Sequence, residues 1–178
     1  PTAALTVEFW SKIDDLSNPY RGLVGADVGP SSTNHGWEIS HYNNIYLRIG
    51  NGSTYVNLDG SLSTADVWEN HAATYDSTTA YLYKNGSQVD SDTLAGPIVY
   101  GIFPVGIALY GFQIFTSVVI DEVRISSVAR DPDWLAYAYQ DDFDNAATFS
   151  LGAEETEAPT DTIFEEEAGL TYAFAMSW

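Results

Sequence analysis

Residues 119–140 read VIDEVRISSVARDPDWLAYAYQ, and this stretch decides the fold class. Its first half alternates. Val119, Asp121, Val123 and Ile125 fall on one face of a strand, and Ile120, Glu122, Arg124 and Ser126 on the other. After a short link, Asp131 is placed to cap a helix, and Pro132 suits its first turn, where no backbone N–H is needed. Trp134, Leu135 and Ala138 form the apolar face of that helix. The chain ahead of this segment holds no second long helical pattern.

Upstream, strand-like runs recur at 5–13, 22–25, 36–40, 45–49, 54–58, 67–75, 79–83, 105–110 and 118–125. Turn signals separate them: Asn18-Pro19, Gly29-Pro30, Asn43-Asn44, Asn51-Gly52, Asp59-Gly60 and Asn85-Gly86. Asn85-Gly86 gives the clearest hairpin, because both positions of its tight turn need the left-handed backbone these residues tolerate. Many short strands at this spacing imply a β-sandwich or barrel.

The 178 residues suffice for one domain with a full core and a short extension. Six basic residues stand against 25 acidic ones, a net charge of −19, which argues against a nucleic-acid partner. The imbalance is uneven: residues 141–178 hold 10 acids and no base, leaving 15 acids and 6 bases before them. Solubility in salt, divalent cation binding and self-repulsion against aggregation all fit such an excess. No cysteine is present, so a disulfide or thiolate metal site is ruled out.

Residues 93–120 contain no Asp, Glu, Lys, Arg or His. Gly96, Pro97, Gly101, Pro104, Gly106 and Gly111 break the run, so it is not a membrane span. It reads as an inner strand with a buried loop or as a subunit interface anchored by Tyr100, Phe103, Phe112 and Phe115. At the far end, Leu170, Tyr172, Phe174 and Met176 alternate with Thr171, Ala173, Ala175 and Ser177. This terminal strand needs a sheet edge, its own or a neighbour's.

With these strands in place, Leu5-Thr6-Val7-Glu8-Phe9-Trp10 resembles the early TVSAW strand of laminin G-like domains in the concanavalin A-like lectin/glucanase superfamily. Residues 68–76, WENHAATYD, resemble that family's WHHVAATYD strand, and residues 81–86, YLYKNG, its LYVNG hairpin. Residues 120–125 resemble its IDEVRI strand, and Ser127-Val128-Ala129-Arg130 with Asp133-Trp134 its ARSADWI closing helix, as in bacterial, archaeal and phage members. The resemblance implies an all-β jelly-roll sandwich of two antiparallel sheets with a short C-terminal helix. It places the domain at 1–140 and an acidic extension at 141–178. The family's opening FDG…YV strand has no counterpart, so the first strand is expected to be missing, and an apolar run, Thr116-Ser117-Val118-Val119, replaces the usual Gly before IDEVRI.

Related glucanases use Glu-x-Asp-x-x-Glu on one strand, since retaining hydrolysis needs two carboxyl groups close together. No such triplet occurs, and adjacent Asp121 and Glu122 are expected on opposite strand faces. The chain is therefore read as no enzyme. His35 and His41 flank Trp37 and form a weak metal-pair signal, whereas His71 reads as a core or sheet-face residue. Several laminin G-like relatives carry Ca²⁺ at the sandwich rim, and the resemblance transfers that possible role to Asp121. Trp37, His41, Tyr42, Asn43, Asn44 and Tyr46 cluster around one loop as a glycan-binding surface, with ordinary packing at strand ends as the competing account. Trp10 and Trp68 match core strands and read as structural.

The expected function is a non-catalytic recognition or assembly module of an extracellular, cell-surface or virion structure. It would contact glycans or neighbouring subunits of a homo-oligomer. The alternative is a carbohydrate-binding accessory domain of a secreted glycoside hydrolase or adhesin.

Overall fold

The computed structural model describes residues 3–16, 21–26, 35–100, 104–110, 114–115 and 118–143, with backbone alone at 21, 109, 110, 114 and 115. The chain divides into units Pro1–Thr148 and Phe149–Trp178, the second lying outside the described residues. The expected terminal strand, with Tyr172 and Phe174, falls there.

Twelve strands and one helix are seen among the described residues: β1 (Leu5–Lys12), β2 (Arg21–Ala26), β3 (Trp37–Tyr42), β4 (Asn44–Gly50), β5 (Tyr55–Leu62), β6 (Trp68–Tyr75), β7 (Thr79–Lys84), β8 (Ser87–Thr93), β9 (Val105–Ile107), β10 (Leu109–Tyr110), β11 (Ile114–Phe115), β12 (Val119–Ser126) and α1 (Pro132–Phe143). They build two five-stranded antiparallel sheets, β12-β1-β6-β7-β8 and β5-β4-β3-β2-β9, and a β10-β11 hairpin. This is the jelly-roll sandwich that the family resemblance implied.

Alternation builds the core. Leu5, Val7 and Phe9 of β1, Ala73 and Tyr75 of β6, and Ala80 and Leu82 of β7 face inward from the first sheet. Trp37 and Ile39 of β3, and Ile45, Leu47 and Ile49 of β4, meet them from the second. Each fully buried aliphatic contributes about 1.5–3 kcal/mol. Along one side, β5 and β8 approach each other, and the Asp59 backbone N–H donates to Asp90 Oδ2 at 2.8 Å across the two sheet edges. Asn85 (φ 49°) and Gly86 (φ 72°) form the two-residue turn between β7 and β8.

Two local expectations change. Run 105–110 is broken at Ala108 (φ 54°) into β9 and β10, because a left-handed residue cannot continue a pleat. In β12, strict alternation fails at a bulge. Glu8 pairs with Arg124 and Trp10 with Asp121, so Glu122 and Val123 oppose Phe9 alone, and Glu122 takes φ 51°. Ile120 and Val123, three apart, therefore both pack on the core.

The helix begins as its sequence signals. Asp131 Oδ1 accepts the Trp134 backbone N–H at 2.7 Å. It ends at Phe143, three residues beyond the expected boundary. Leu135 packs with Ala72 of β6 and Tyr83 of β7, placing α1 on the outer face of the first sheet. The incoming link is tied down through Thr6, whose Oγ1 donates to Val128 O at 2.6 Å and accepts the Arg130 N–H at 2.9 Å. Gly86 lies under the helix: a Cβ there would come within 3.1 Å of Tyr139 and 3.2 Å of Ala136. Among the described residues no helix is long and apolar enough to cross a membrane.

Candidate functional site

The helix leaves an opening on the sheet it covers. A cavity of about 500 Å³ is lined by Trp10, Trp68, Asp121, Glu122, Asp141, Asp142 and Phe143. Strand register explains the convergence. On β1, Leu5, Val7 and Phe9 point inward, so Thr6, Glu8 and Trp10 point outward. Trp10 pairs with Asn70 and with Asp121, and Lys12 pairs with Trp68. The β12 bulge turns Glu122 toward the same space as Asp121. The expectation that these neighbours point to opposite faces is thus corrected, because regular pleating stops at Glu122.

The C-terminal turn of α1 supplies the other wall. Trp10 stacks on Tyr139 at 5.6 Å between ring centroids and on Phe143 at 6.3 Å, with Tyr139 and Phe143 stacked at 5.6 Å. Trp10 is 8% exposed, but Trp68 is 41% and Phe143 69% exposed, so the cavity presents two exposed aromatic side chains.

Among the described residues, Arg124 is the cation paired with these carboxylates. Arg124 Nη1 and Nη2 each donate at 2.9 Å to Asp142, forming a two-pronged pair, and Nη2 also donates to Glu122 Oε2 at 2.9 Å. Trp10 Nε1–H donates to Asp142 Oδ2 at 3.3 Å. Burial pushes the Asp142 carboxyl upward, but the Arg124 and Trp10 hydrogen bonds and the Arg124 charge hold it below the ordinary value. Asp121 Oδ1 accepts the Glu122 N–H at 2.8 Å. Asp141 Oδ1 is buried without a hydrogen-bond partner among the described residues. Nearby Glu8 is buried under the helix, and desolvation raises its pKa against the pull of Arg124.

The sequence-predicted surface is divided by the fold. Trp37 (2% exposed) and His41 (0%) are buried between the sheets, because odd positions of β3 face the core. Neither is reachable by a ligand there, which corrects their place in the expected glycan surface. Tyr42 and Tyr46 remain together, ring centroids 6.4 Å apart, beside Asn43 (φ 64°) in the turn and Asn44. Asn44 Nδ2 donates to Asp59 Oδ1 at 2.8 Å. His35 sits in the loop before β3, apart from the buried His41. Among the described residues no three His, Asp or Glu side chains are grouped as a metal site, and Asp121 lies at the cavity beside Glu122. Of the expected interface residues, Tyr100 packs partly buried against the core, and Phe115 lies in β11 opposite Leu109. Phe103 and Phe112 lie outside the described residues.

Trp10 and Trp68, read from sequence as core, are the residues the cavity adds. The usable signal was their register: each is a large aromatic at a position whose strand neighbours two away are polar, Glu8 and Asn70.

The other sheet also holds a buried acid. Glu38 lies on the outer face of β3, 3% exposed, between Gly25 and Arg48 in register. Burial raises its carboxyl pKa to about 7, against the Arg48 charge.

Fold and cavity together define a jelly-roll sandwich with an open cleft on one outer face. A laminin G-like family model, described as the Concanavalin A-like lectin/glucanases superfamily, matches residues 1–136, and the chain belongs to that family. Among solved structures it is similar to the binding domain of Paraclostridial Mosquitocidal Protein 1: 20% identity and a TM-score of 0.62 over 80% of this chain and 38% of that one. The Botulinum neurotoxin serotype D binding domain aligns with 17% identity and a TM-score of 0.63 over 80% of this chain and 37% of that one. The serotype G binding domain gives 15% and 0.61 over 78% and 36%. The chain thus spans little more than a third of these structures, and the likeness is one of fold. No curated protein matches the sequence.

Proposed function

We propose that the chain is a non-catalytic recognition module of an extracellular or surface structure, and that it holds a saccharide in the cleft between β1, β12 and α1. The observation that carries this reading is the pairing of exposed aromatic side chains, Trp68 and Phe143, with carboxylates in one cavity. Aromatic rings cover the C–H face of a sugar, and carboxylates accept its hydroxyl protons. The volume, about 500 Å³, suits one or two sugar rings. The same role fits an accessory domain of a secreted hydrolase, an adhesin or a virion surface protein. Isothermal titration after a glycan-array screen tests it. Trp68→Ala is expected to weaken binding by roughly tenfold or more, about 1.4 kcal/mol. Binding unchanged in that variant, or no glycan bound by the intact chain, rejects the cleft as a saccharide site.

A second reading, contact with a neighbouring subunit, is favoured by β9. It is an edge strand within the uncharged run, and Val105 and Ile107 are each 51% exposed. Sedimentation tests it: Ile107→Lys is expected to dissociate any oligomer, and a monomeric parent chain rejects the reading.

A further inference from the structure

We propose that the saccharide taken by this cleft is cationic, an amino sugar with its amine free. This rests on the saccharide reading above and adds the charge of the ligand. Four carboxylates, Asp121, Glu122, Asp141 and Asp142, line one cavity, and Arg124 is the cation paired with them. That guanidinium is already committed to Asp142 by two bonds and to Glu122 by a third, all at 2.9 Å. Among the described residues Asp121 Oδ1 meets a neighbouring peptide N–H, a dipole rather than a charge. Asp141 Oδ1 is buried and has no hydrogen-bond partner among the described residues, a group that burial penalises until a donor arrives.

The walls reinforce the demand. The faces of Trp68 and Phe143 carry the negative lobe of the ring quadrupole, which attracts an ammonium group within about 6 Å. An ammonium on a sugar ring would meet aromatic faces on one side and excess carboxylate on the other. A uronic or sialic acid would be repelled by both. The chain's net charge of −19 adds a long-range field that draws cations toward the molecule. That field alone cannot choose a site, so the variants below separate the cleft from it.

The test titrates the intact chain with a glucosamine tetrasaccharide and with its fully N-acetylated counterpart, reading heat and tryptophan fluorescence. The free-amine form is expected to bind roughly tenfold tighter or more. Asp141→Asn and Trp68→Ala should each remove most of that preference, and raised salt should weaken the amine form selectively. Far-ultraviolet circular dichroism checks that each variant is folded. Should Asp141→Asn fail to fold, Asp121→Asn serves in its place. Equal or tighter binding of the acetylated form, lost in Trp68→Ala, overturns the charge inference and leaves the saccharide reading intact. A free-amine preference unchanged in both variants also overturns it, since the general field would then be the cause. Binding of tetralysine with neither saccharide bound overturns this inference and the saccharide reading together.

Discussion

The β3–β4 hairpin and the α1 cleft gather the same kinds of residue, Trp or Tyr beside polar groups, by opposite routes. In the hairpin the residues are neighbours in sequence, and alternation then splits them: Trp37 and His41 enter the core while Tyr42 and Tyr46 stay outside. In the cleft the residues come from positions 10, 68, 121–122 and 141–143, and register brings them to one face. Closeness along a strand scatters side chains to two sides, whereas pairing across strands collects them on one. A binding surface on a sandwich is therefore better sought across the register than along the chain.

The largest break between the regions is expected from their tryptophans. Trp37→Ala should cost about 3–5 kcal/mol of stability, because it empties a fully packed site between the sheets. Trp68→Ala should cost less than about 1 kcal/mol, since the ring is already 41% exposed, and should show itself in binding. Urea unfolding of both variants checks this. Similar losses would mean that Trp68 is structural after all and that the cleft is a packing defect.

The next effect distinguishes the interiors by pH. Glu38 has its pKa raised to about 7 by burial, above the ordinary 4.5. Its contribution to stability is fully present below pH 4.5 and is lost as pH rises through 7. Glu38→Gln removes that dependence, so the variant should gain about 3 kcal/mol relative to the parent between pH 4.5 and pH 8. His71 runs the other way. Complete burial, with the charges of Lys84 and His41 adding to it, lowers its pKa from 6.5 to about 3. Its contribution is present above pH 6.5 and is lost as pH falls toward 3, by at most about 1.4 kcal/mol per pH unit. The two slopes oppose each other between 4.5 and 6.5. Unfolding free energies across pH 3–8 for the parent and Glu38→Gln separate them. A parent-minus-variant difference that stays flat with pH would show that Glu38 is solvated.

Much of the architecture was legible because it is written in local pattern. Leu5, Val7 and Phe9 alternate, Asn85-Gly86 turns, and Asp131-Pro132 starts a helix, each within a few residues. The bulge at Glu122 was not legible. Its residue type gives no cue for a left-handed backbone, and only the pairing of β12 with β1 imposes it. The break at Ala108 was hidden for the same reason. Of the cleft, Asp121 alone was given a site role beforehand, as a metal ligand; its aromatic neighbours were not read with it. Trp10 looked like core because its motif belongs to a core strand. Its outward register became meaningful only when α1 was seen to end beside it.

The smallest expected effect concerns what holds the cleft open. The hairpin's Tyr42 and Tyr46 are held by strand register, β3 against β4 and β4 against β5. The cleft wall depends on the last turn of α1 staying beside β12, and Arg124 with Asp142 is the charged link between them. Arg124 is 41% exposed, so solvent screening limits the pair, and its two-pronged geometry raises it only toward the upper end of the exposed range. A double-mutant cycle of Arg124→Met and Asp142→Asn should give a coupling of about 0.5–1 kcal/mol. Arg124→Met should also lower the fluorescence response of Trp10 to ligand, because Phe143 loses its anchored position against that ring. A coupling near zero with an unchanged fluorescence response would transfer the support of the wall to the Trp10–Tyr139–Phe143 stack alone. The cleft would then be held by dispersion, as the core is, and the contrast between the two regions would rest on register and not on charge.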